Sequence, residues 1–256
     1  MNRKVREETA LNAGEAYKKG RGFYDNKDYK NAINLFTGAI ELDPRSVLAY
    51  IYRGNSYDYL ARRITGEARD EAFENALNDH NMAVGFGPNA LAHERRGVHY
   101  RLIYKSYKSR AGTGDFDKAI NDLNTAISLD PKSASAYYER GEAYFTYAQK
   151  ADADDDFTPE AEKKCDMAIS DYTKSIELNP QNADCYYKRG LCYDDKMQCD
   201  MAIADFTKSI ELNTENVDCY YKRALLYDEE KQYDKAISDL KKAMELSAAE
   251  YYARYH

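Results

Sequence analysis

No run of apolar residues in this 256-residue chain approaches the length needed to cross a membrane. The opening stretch, MNRKVREETALNAGEAYKKG, lacks the apolar core of a secretory signal, so the expected location is the cytosol. Cysteine is sparse and odd in number, five in all, which argues against a disulfide framework. Cys185 and Cys192 lie about 10 Å apart along a predicted helix. That is too far for a chelating pair, so they read as small buried residues. Enzymatic signatures are missing as well: there is no Gly-rich phosphate loop, no nucleophile elbow and no metal-binding His pair on one helix. His93 and His99, on one predicted helix, point in nearly opposite directions. Asp152, Asp154 and Asp156 alternate like the start of a calcium loop, but Phe157 stands where that loop needs Gly and Lys163 where it needs a closing Glu. The expectation is a protein with no catalytic residues, no cofactor and no metal.

An excess of positive charge is also lacking. Residues 1–128 carry 20 Lys and Arg against 17 Asp and Glu, whereas residues 129–256 carry 17 against 27. An acidic C-terminal half disfavours a nucleic acid backbone, which needs clustered cations. The one basic patch, Arg95, Arg96, Arg101, Lys105, Lys108 and Arg110, reads first as a solvated helix face.

What the chain has is a period. Residues 183–216 read ADCYYKRGLCYDDKMQCDMAIADFTKSIELNTEN and residues 217–250 read VDCYYKRALLYDEEKQYDKAISDLKKAMELSAAE, so DCYYKR recurs at an offset of 34 residues. Ala-Ile recurs at Ala32-Ile33, Ala119-Ile120, Ala168-Ile169, Ala202-Ile203 and Ala236-Ile237. Tyr50, Gly54 and Tyr57 have counterparts in Tyr137, Gly141 and Tyr144, and in Tyr186, Gly190 and Tyr193. Spacing of i, i+4, i+7 makes one stripe of a helix. Gly54, Gly97, Gly141 and Gly190, with Ala224 in the same register, are small; the glycines cost helix stability, and close approach of a partner helix is the natural reason. Pro44, Pro131 and Pro180 are each followed two residues on by Ser46, Ser133 or Asn182, and Pro88 directly by Asn89, so each pair stops one helix and caps the next. The chain thus divides into six units, 13–46, 47–89, 90–133, 134–182, 183–216 and 217–250, with 1–12 as a lead-in and 251–256 as a helical extension or tail.

The residue before the small Gly or Ala is Arg in five units, Arg53, Arg96, Arg140, Arg189 and Arg223. The second helices of those units carry Asp79, Asp122, Asp171, Asp205 and Asp239 just before a bulky core residue. The first unit has Lys19 and Leu35 instead, losing both partners together. Five Arg–Asp pairs joining the two helices of a hairpin are predicted, with a structural role. The middle three units run 43, 44 and 49 residues against 34 for the others. Their excess falls between the two helices and reads as extra helical turns, with Thr158-Pro159-Glu160 a good helix start. Such a ridge is a second candidate binding surface.

Ala32, Phe36, Ala39 and Pro44, and again Ala168, Tyr172, Ser175 and Pro180, together with the Tyr–Gly–Tyr stripes, resemble the tetratricopeptide repeat. That resemblance implies an all-α, right-handed superhelical solenoid of antiparallel helix pairs. It also implies a non-catalytic adaptor or scaffold that holds a peptide or protein segment along the first helix of each unit. The matching positions are Tyr17, Arg21, Tyr24, Ile51 and Asn55 in the first two units and Tyr138, Glu142 and Phe145 in the fourth. The last two units supply Asp184, Tyr187, Leu191, Asp194, Asp218, Tyr221, Leu225 and Asp228. This Tyr- and Leu-lined, acid-edged groove suits a basic or amphipathic partner. Tyr50, Tyr57, Tyr137, Tyr144, Tyr186, Tyr193, Tyr220 and Tyr227 are expected in the core. The clamp by which some family members hold a terminal carboxylate is not matched, since Tyr17 and Arg21, or Tyr138 and Glu142, replace its Lys and Asn, and Lys188 and Lys222 lack companions. Two other readings stand beside the adaptor: a regulatory subunit docking a catalytic partner through the extended middle helices, and an RNA-binding helical-repeat protein. Tyr251, Tyr252 and Tyr255 offer a further route, self-association through the tail.

Overall fold

The computed structural model describes residues 3–107, 114–151 and 158–255, and side chains within 12–107, 114–150 and 158–249. Among the described residues the chain is all α, twelve helices and no strand. It divides into two compact units, Met1–Pro131 and Lys132–His256. The first contains α1 (Arg3–Asp25), α2 (Tyr29–Leu42), α3 (Val47–Ala61), α4 (Glu67–Gly85), α5 (Ala90–Ser106) and α6 (Gly114–Leu129). The second contains α7 (Ala134–Ala151), α8 (Pro159–Leu178), α9 (Ala183–Asp195), α10 (Cys199–Leu212), α11 (Val217–Glu229) and α12 (Tyr233–Tyr255). Within each unit the helices pair as consecutive hairpins, and each second helix also packs on the first helix of the next hairpin.

The helix starts reflect local chemistry. Asn89, Asn182 and Asn216 accept from the backbone N–H three residues on, at 3.0, 3.3 and 3.1 Å. Thr158 does the same for Ala161 at 3.2 Å with Pro159 in the first turn, and Ser133 for Ala136 at 3.1 Å. Each such cap satisfies a donor that the helix leaves unpaired. Ser46 is a correction: it sits at the N-cap of α3 without a side-chain cap bond, and the start of that helix relies on Tyr50 N–H donating to the Ser46 carbonyl at 3.2 Å. Among the described residues, part of the extra length of the middle hairpins becomes helical turns. Helices α4, α7 and α8 run 19, 18 and 20 residues against 13 or 14 for α9, α10 and α11. The short hairpins close differently, on Lys27, Met197 and Lys231 with φ of 61°, 55° and 60°, a left-handed conformation that costs side-chain-bearing residues about 1 kcal/mol or more. Residues 108–113, inside one insert, lie outside the described residues, as do Lys108 and Arg110 of the basic patch and Asp152, Asp154 and Asp156 of the calcium-like run. Helix α1 already runs through most of the lead-in and α12 runs on through the tail to Tyr255; the side chains of Tyr251, Tyr252 and Tyr255 also lie outside the described residues.

Five of the six hairpins share one close approach, and Ala224 stands at that position in the sixth. An ideal Cβ on Gly20, Gly54, Gly97, Gly141 or Gly190 would lie 2.8 Å from Phe36, His80, Leu123, Tyr172 or Phe206, respectively, on the facing helix. No real Cβ fits there, so the small residue is what admits the bulky one. In the second to sixth hairpins the predicted pairs form as two-pronged forks. Arg53 donates to both oxygens of Asp79 at 2.8 and 2.7 Å. Arg96 reaches Asp122, Arg140 reaches Asp171, Arg189 reaches Asp205 and Arg223 reaches Asp239, all at 2.7 to 2.8 Å. The third prong of the guanidinium was not legible in the sequence. It crosses to the preceding hairpin, from Arg53 to Thr37 at 3.0 Å, Arg96 to Asn81 at 3.0 Å, Arg189 to Thr173 at 2.9 Å and Arg223 to Thr207 at 2.9 Å.

Burial lifts the Asp79 and Asp171 carboxyls above the ordinary carboxylate range, and the Arg53 and Arg140 forks only partly pull them back. On these two carboxyls desolvation outweighs the attraction, whereas the Arg53 and Arg140 guanidiniums are held more firmly protonated by the same forks. The Tyr stripe needs a related correction. Tyr50, Tyr144, Tyr186 and Tyr220 are core, but Tyr57, Tyr137, Tyr193 and Tyr227 are only half-buried. Several of these rings flank the guanidinium: Arg189 lies 5.8 Å from Tyr186 and 5.9 Å from Tyr193, and Arg223 lies 5.9 Å from Tyr220 and 5.7 Å from Tyr227. A cation on an aromatic face accounts for a second Tyr that never reaches the core. Cys185 and Cys192 are buried as read from the sequence, and burial pushes the Cys185 thiol up to about 11.

Candidate functional site

The predicted groove positions fall on one side of the first helices, and their exposure depends on whether another first helix packs after them. In α11, the last first helix, Tyr221 and Leu225 are 50% and 41% exposed, with Asp218 and Asp228 exposed beside them. In α9, Tyr187, Leu191 and Asp194 are half-buried and Asp184 is exposed. In α7, Tyr138 is half-buried, while Glu142 and Phe145 are buried. First helices touch their successors in pairs α1 with α3, α3 with α5 and α7 with α9. A succeeding first helix therefore covers part of the row on α1, α3 and α7.

Ile51 and Phe145 are corrections. At 0% and 3% exposure they belong to the core and present no surface to a partner. Asn55 and Glu142, at 8% each, are likewise enclosed. Glu142 is the more informative of the two. It accepts from the Tyr172 hydroxyl at 2.7 Å and pairs with Lys188 at 3.3 Å. Asp194 accepts from Lys222 at 3.0 Å. The two lysines that lacked companions in the sequence are thus spent on neighbouring acids, and the free acidic edge shrinks to Asp184, Asp218 and Asp228. Tyr187 lies against Phe206 at 5.9 Å, and burial, reinforced by Asp218, pushes its hydroxyl up to about 12. It stays a neutral donor with an apolar face.

The first unit presents a different row. Tyr17 packs on Phe36 and Tyr52 at 5.9 and 6.0 Å, Tyr24 on Tyr52 at 5.2 Å, and Tyr29 stacks on Tyr59 at 4.7 Å. The Arg21 guanidinium sits 3.9 Å from the Tyr52 ring and donates to Asp25 at 3.1 Å. Tyr52 and Tyr59, not Ile51 and Asn55, carry α3's contribution. Ile51 and Asn55 keep the predicted register but are enclosed in the core. Two residues of the basic patch are engaged within the chain: Arg96 belongs to the Asp122 fork and Arg95 pairs with Glu94 at 3.2 Å.

One constellation escaped the sequence reading. Asp58 on α3, His80 on α4 and His99 on α5 converge in the core of the first unit, exposed by 5%, 0% and 0%. His80 Nε2 donates to Asp58 Oδ2 at 3.0 Å and His99 Nδ1 to Asp58 Oδ1 at 2.7 Å. The opposite nitrogens, His80 Nδ1 and His99 Nε2, are buried with no hydrogen-bond partner. Burial would raise the Asp58 carboxyl, but the two imidazoles overcome it and hold it below its ordinary value. One donor atom from each of the three side chains lies within 4.8 Å of the others, the arrangement a metal ion would need. A scan of single-helix His spacing could not reveal it, because each ligand comes from a different helix. The signal was present only as a misfit: His80 occupies the knob position.

Comparison with known proteins agrees on the family. Family models described as "Tetratricopeptide repeat" match residues 17–79, 171–204 and 206–238, and one described as "TPR repeat" matches 112–146, together more than half the chain. The chain is a tetratricopeptide repeat protein. No curated protein matches it. Among solved structures it is similar to TTC0263, a thermophilic TPR protein of Thermus thermophilus, at 17% identity and a TM-score of 0.66, over 84% of this chain and 98% of that one. It is similar to YrrB, a TPR protein described as having an unusual peptide-binding site, at 19% identity and a TM-score of 0.52, over 82% and 91%. The APC/C hetero-tetramer Cut9-Hcn1 aligns at 17% identity and a TM-score of 0.68, over 92% of this chain and 40% of that one. At these identities the likeness is one of fold. No helix among the described residues is long and apolar enough to cross a membrane.

Proposed function

We propose that this protein is a non-catalytic scaffold that holds a segment of a partner protein along the first helices of its second unit. The observation that carries this reading is the row Tyr138, Tyr187, Leu191, Tyr221 and Leu225, half-buried or exposed on helices whose cores are otherwise closed. Tyr and Leu supply apolar contact at low entropic cost, and Asp184, Asp218 and Asp228 at the edge favour a basic or amphipathic segment. Chains of this fold act on other proteins more often than on small molecules, since stacked hairpins build extended faces rather than closed pockets.

The test is affinity capture from native extract, then crosslinking of the retained partner. Wild type is compared with a triple variant, Tyr221→Ser, Leu225→Ser and Asp228→Lys. These side chains are the exposed ones, so the variant keeps its fold by circular dichroism. A partner held by wild type, lost by the variant and crosslinked through a basic or amphipathic segment supports the reading. Equal capture by both, or an acidic crosslinked segment, refutes it. The second reading, docking of a catalytic partner through the middle hairpins, draws on the longer α4, α7 and α8; a partner retained by the triple variant but lost on altering Arg62 and Ile64 at the first insert would favour it.

A further inference from the structure

The core of the first unit departs from its own repeat pattern. The knob position holds Phe36, Leu123, Tyr172, Phe206 and Leu240 in five hairpins and His80 in the sixth. The place of His99, two residues past the small residue, holds Gly22, Ser56, Ala143, Cys192 and Leu226 elsewhere. Asp194 and Asp228 share the register of Asp58, but they are half-exposed and exposed, whereas Asp58 is buried. Three polar side chains therefore stand together where the rest of the chain manages with apolar or small ones. Burying them, with a nitrogen of each imidazole left unpaired, costs about 1 to 3 kcal/mol per unpaired group.

We infer that Asp58, His80 and His99 form a structural binding site for a divalent first-row transition cation, with Zn²⁺ its best-fitting occupant. Two imidazoles and one carboxylate are ligands Zn²⁺ takes, at about 2.0–2.2 Å. Tetrahedral geometry at that radius spaces the donors by about 3.3 Å. The present N···O separations are 3.0 and 2.7 Å, to different oxygens of Asp58, and one donor atom of each side chain lies within 4.8 Å of the others, so modest side-chain movement brings the set to that spacing. On coordination each ring binds through the nitrogen that now faces Asp58, and its single hydrogen shifts from that nitrogen to the outer one, so no proton is lost. Because the ligands come from α3, α4 and α5, the ion would tie the second hairpin to the third. Its effect is on the stability of the first unit and is independent of the groove in the second.

The full-length chain, stripped with chelator and equilibrated with Zn²⁺ or Co²⁺ at about pH 7.5, supplies the test. One ion per chain should survive gel filtration, Co²⁺ should give visible d–d absorption, and at about a hundredfold excess over Kd the first unfolding transition should rise by roughly 5–10 °C. His80→Phe and His99→Leu place at each position a residue that the same register carries in α10 and α11. Each variant should fold by circular dichroism and lose the ion, the d–d bands and the thermal shift. His93→Gln, whose ring contacts Asp122 instead, should keep all three. Failure of the wild type to retain the ion, or retention by folded His80→Phe, overturns the assignment.

Discussion

The hairpin α3–α4 and the hairpin α9–α10 are built on one plan and filled with different chemistry. In both, a glycine admits a ring to 2.8 Å of where its Cβ would stand, His80 against Gly54 and Phe206 against Gly190. In both, an Arg fork grips an Asp at 2.7 to 2.8 Å and a third prong reaches a Thr of the preceding hairpin. Yet Phe206 and Leu226 share an apolar cluster, while His80 and His99 share the carboxylate of Asp58. The lesson is that the close approach sets the frame of a hairpin, with the fork added beside it in both of these, whereas the knob must satisfy only shape. A hairpin can therefore accept a polar core without changing its frame, and the polar core stands out as a departure that shape does not explain.

The largest expected effect tests the shared part. Arg189→Ala strands the buried Asp205 and should cost about 3–5 kcal/mol in urea unfolding, and Arg53→Ala, stranding Asp79, should cost the same within about 1 kcal/mol. The double change Arg189→Met with Asp205→Leu should recover most of the loss, because desolvation offsets much of the pair's attraction. If Arg53→Ala proved much milder than Arg189→Ala, the two hairpins would not share one frame.

The next effect tests the part that differs. Asp58→Leu leaves two buried imidazoles without their acceptor and should destabilise the metal-free chain by about 2–3 kcal/mol. Adding His80→Phe and His99→Leu converts the site to the chemistry of Phe206 and Leu226 and should restore at least that amount. A triple variant no more stable than Asp58→Leu would show that the frame around Asp58 is not interchangeable with that of α9–α10. The smallest effect concerns how the short hairpins close. Lys231→Gly relieves a left-handed backbone and should raise the unfolding midpoint, by up to about 1 kcal/mol. The α3–α4 connection reaches its turn through Gly66, with φ of 70° and ψ of −155°, a region essentially confined to glycine, and Gly66→Lys should lower stability by about 1–3 kcal/mol.

How much was legible depends on range. Helix starts at Asn89, Thr158 and Asn182 are decisions taken within four residues, so the chain announces them. The Arg–Asp forks span 16 to 31 residues but were readable because the repeat samples them five times and drops both partners together once. The groove was only partly readable. Ile51 and Phe145 sit at the right register but are covered by neighbouring helices, and exposure depends on what stacks against a helix rather than on its own period.

The sequence by itself determined the all-α repeat, the hairpin pairing and the fork, since periodic local signals repeated along a chain specify units that contact only their neighbours. Tertiary structure alone decided that Tyr52 and Tyr59 replace Ile51 and Asn55 on the surface of the first unit. It alone spent Lys188 and Lys222 on Glu142 and Asp194. It alone brought Asp58, His80 and His99 from three helices to one point. The reason is the same in each case: side chains from separate helices meet only when the helices pack, and neither spacing nor composition along one chain carries that distance.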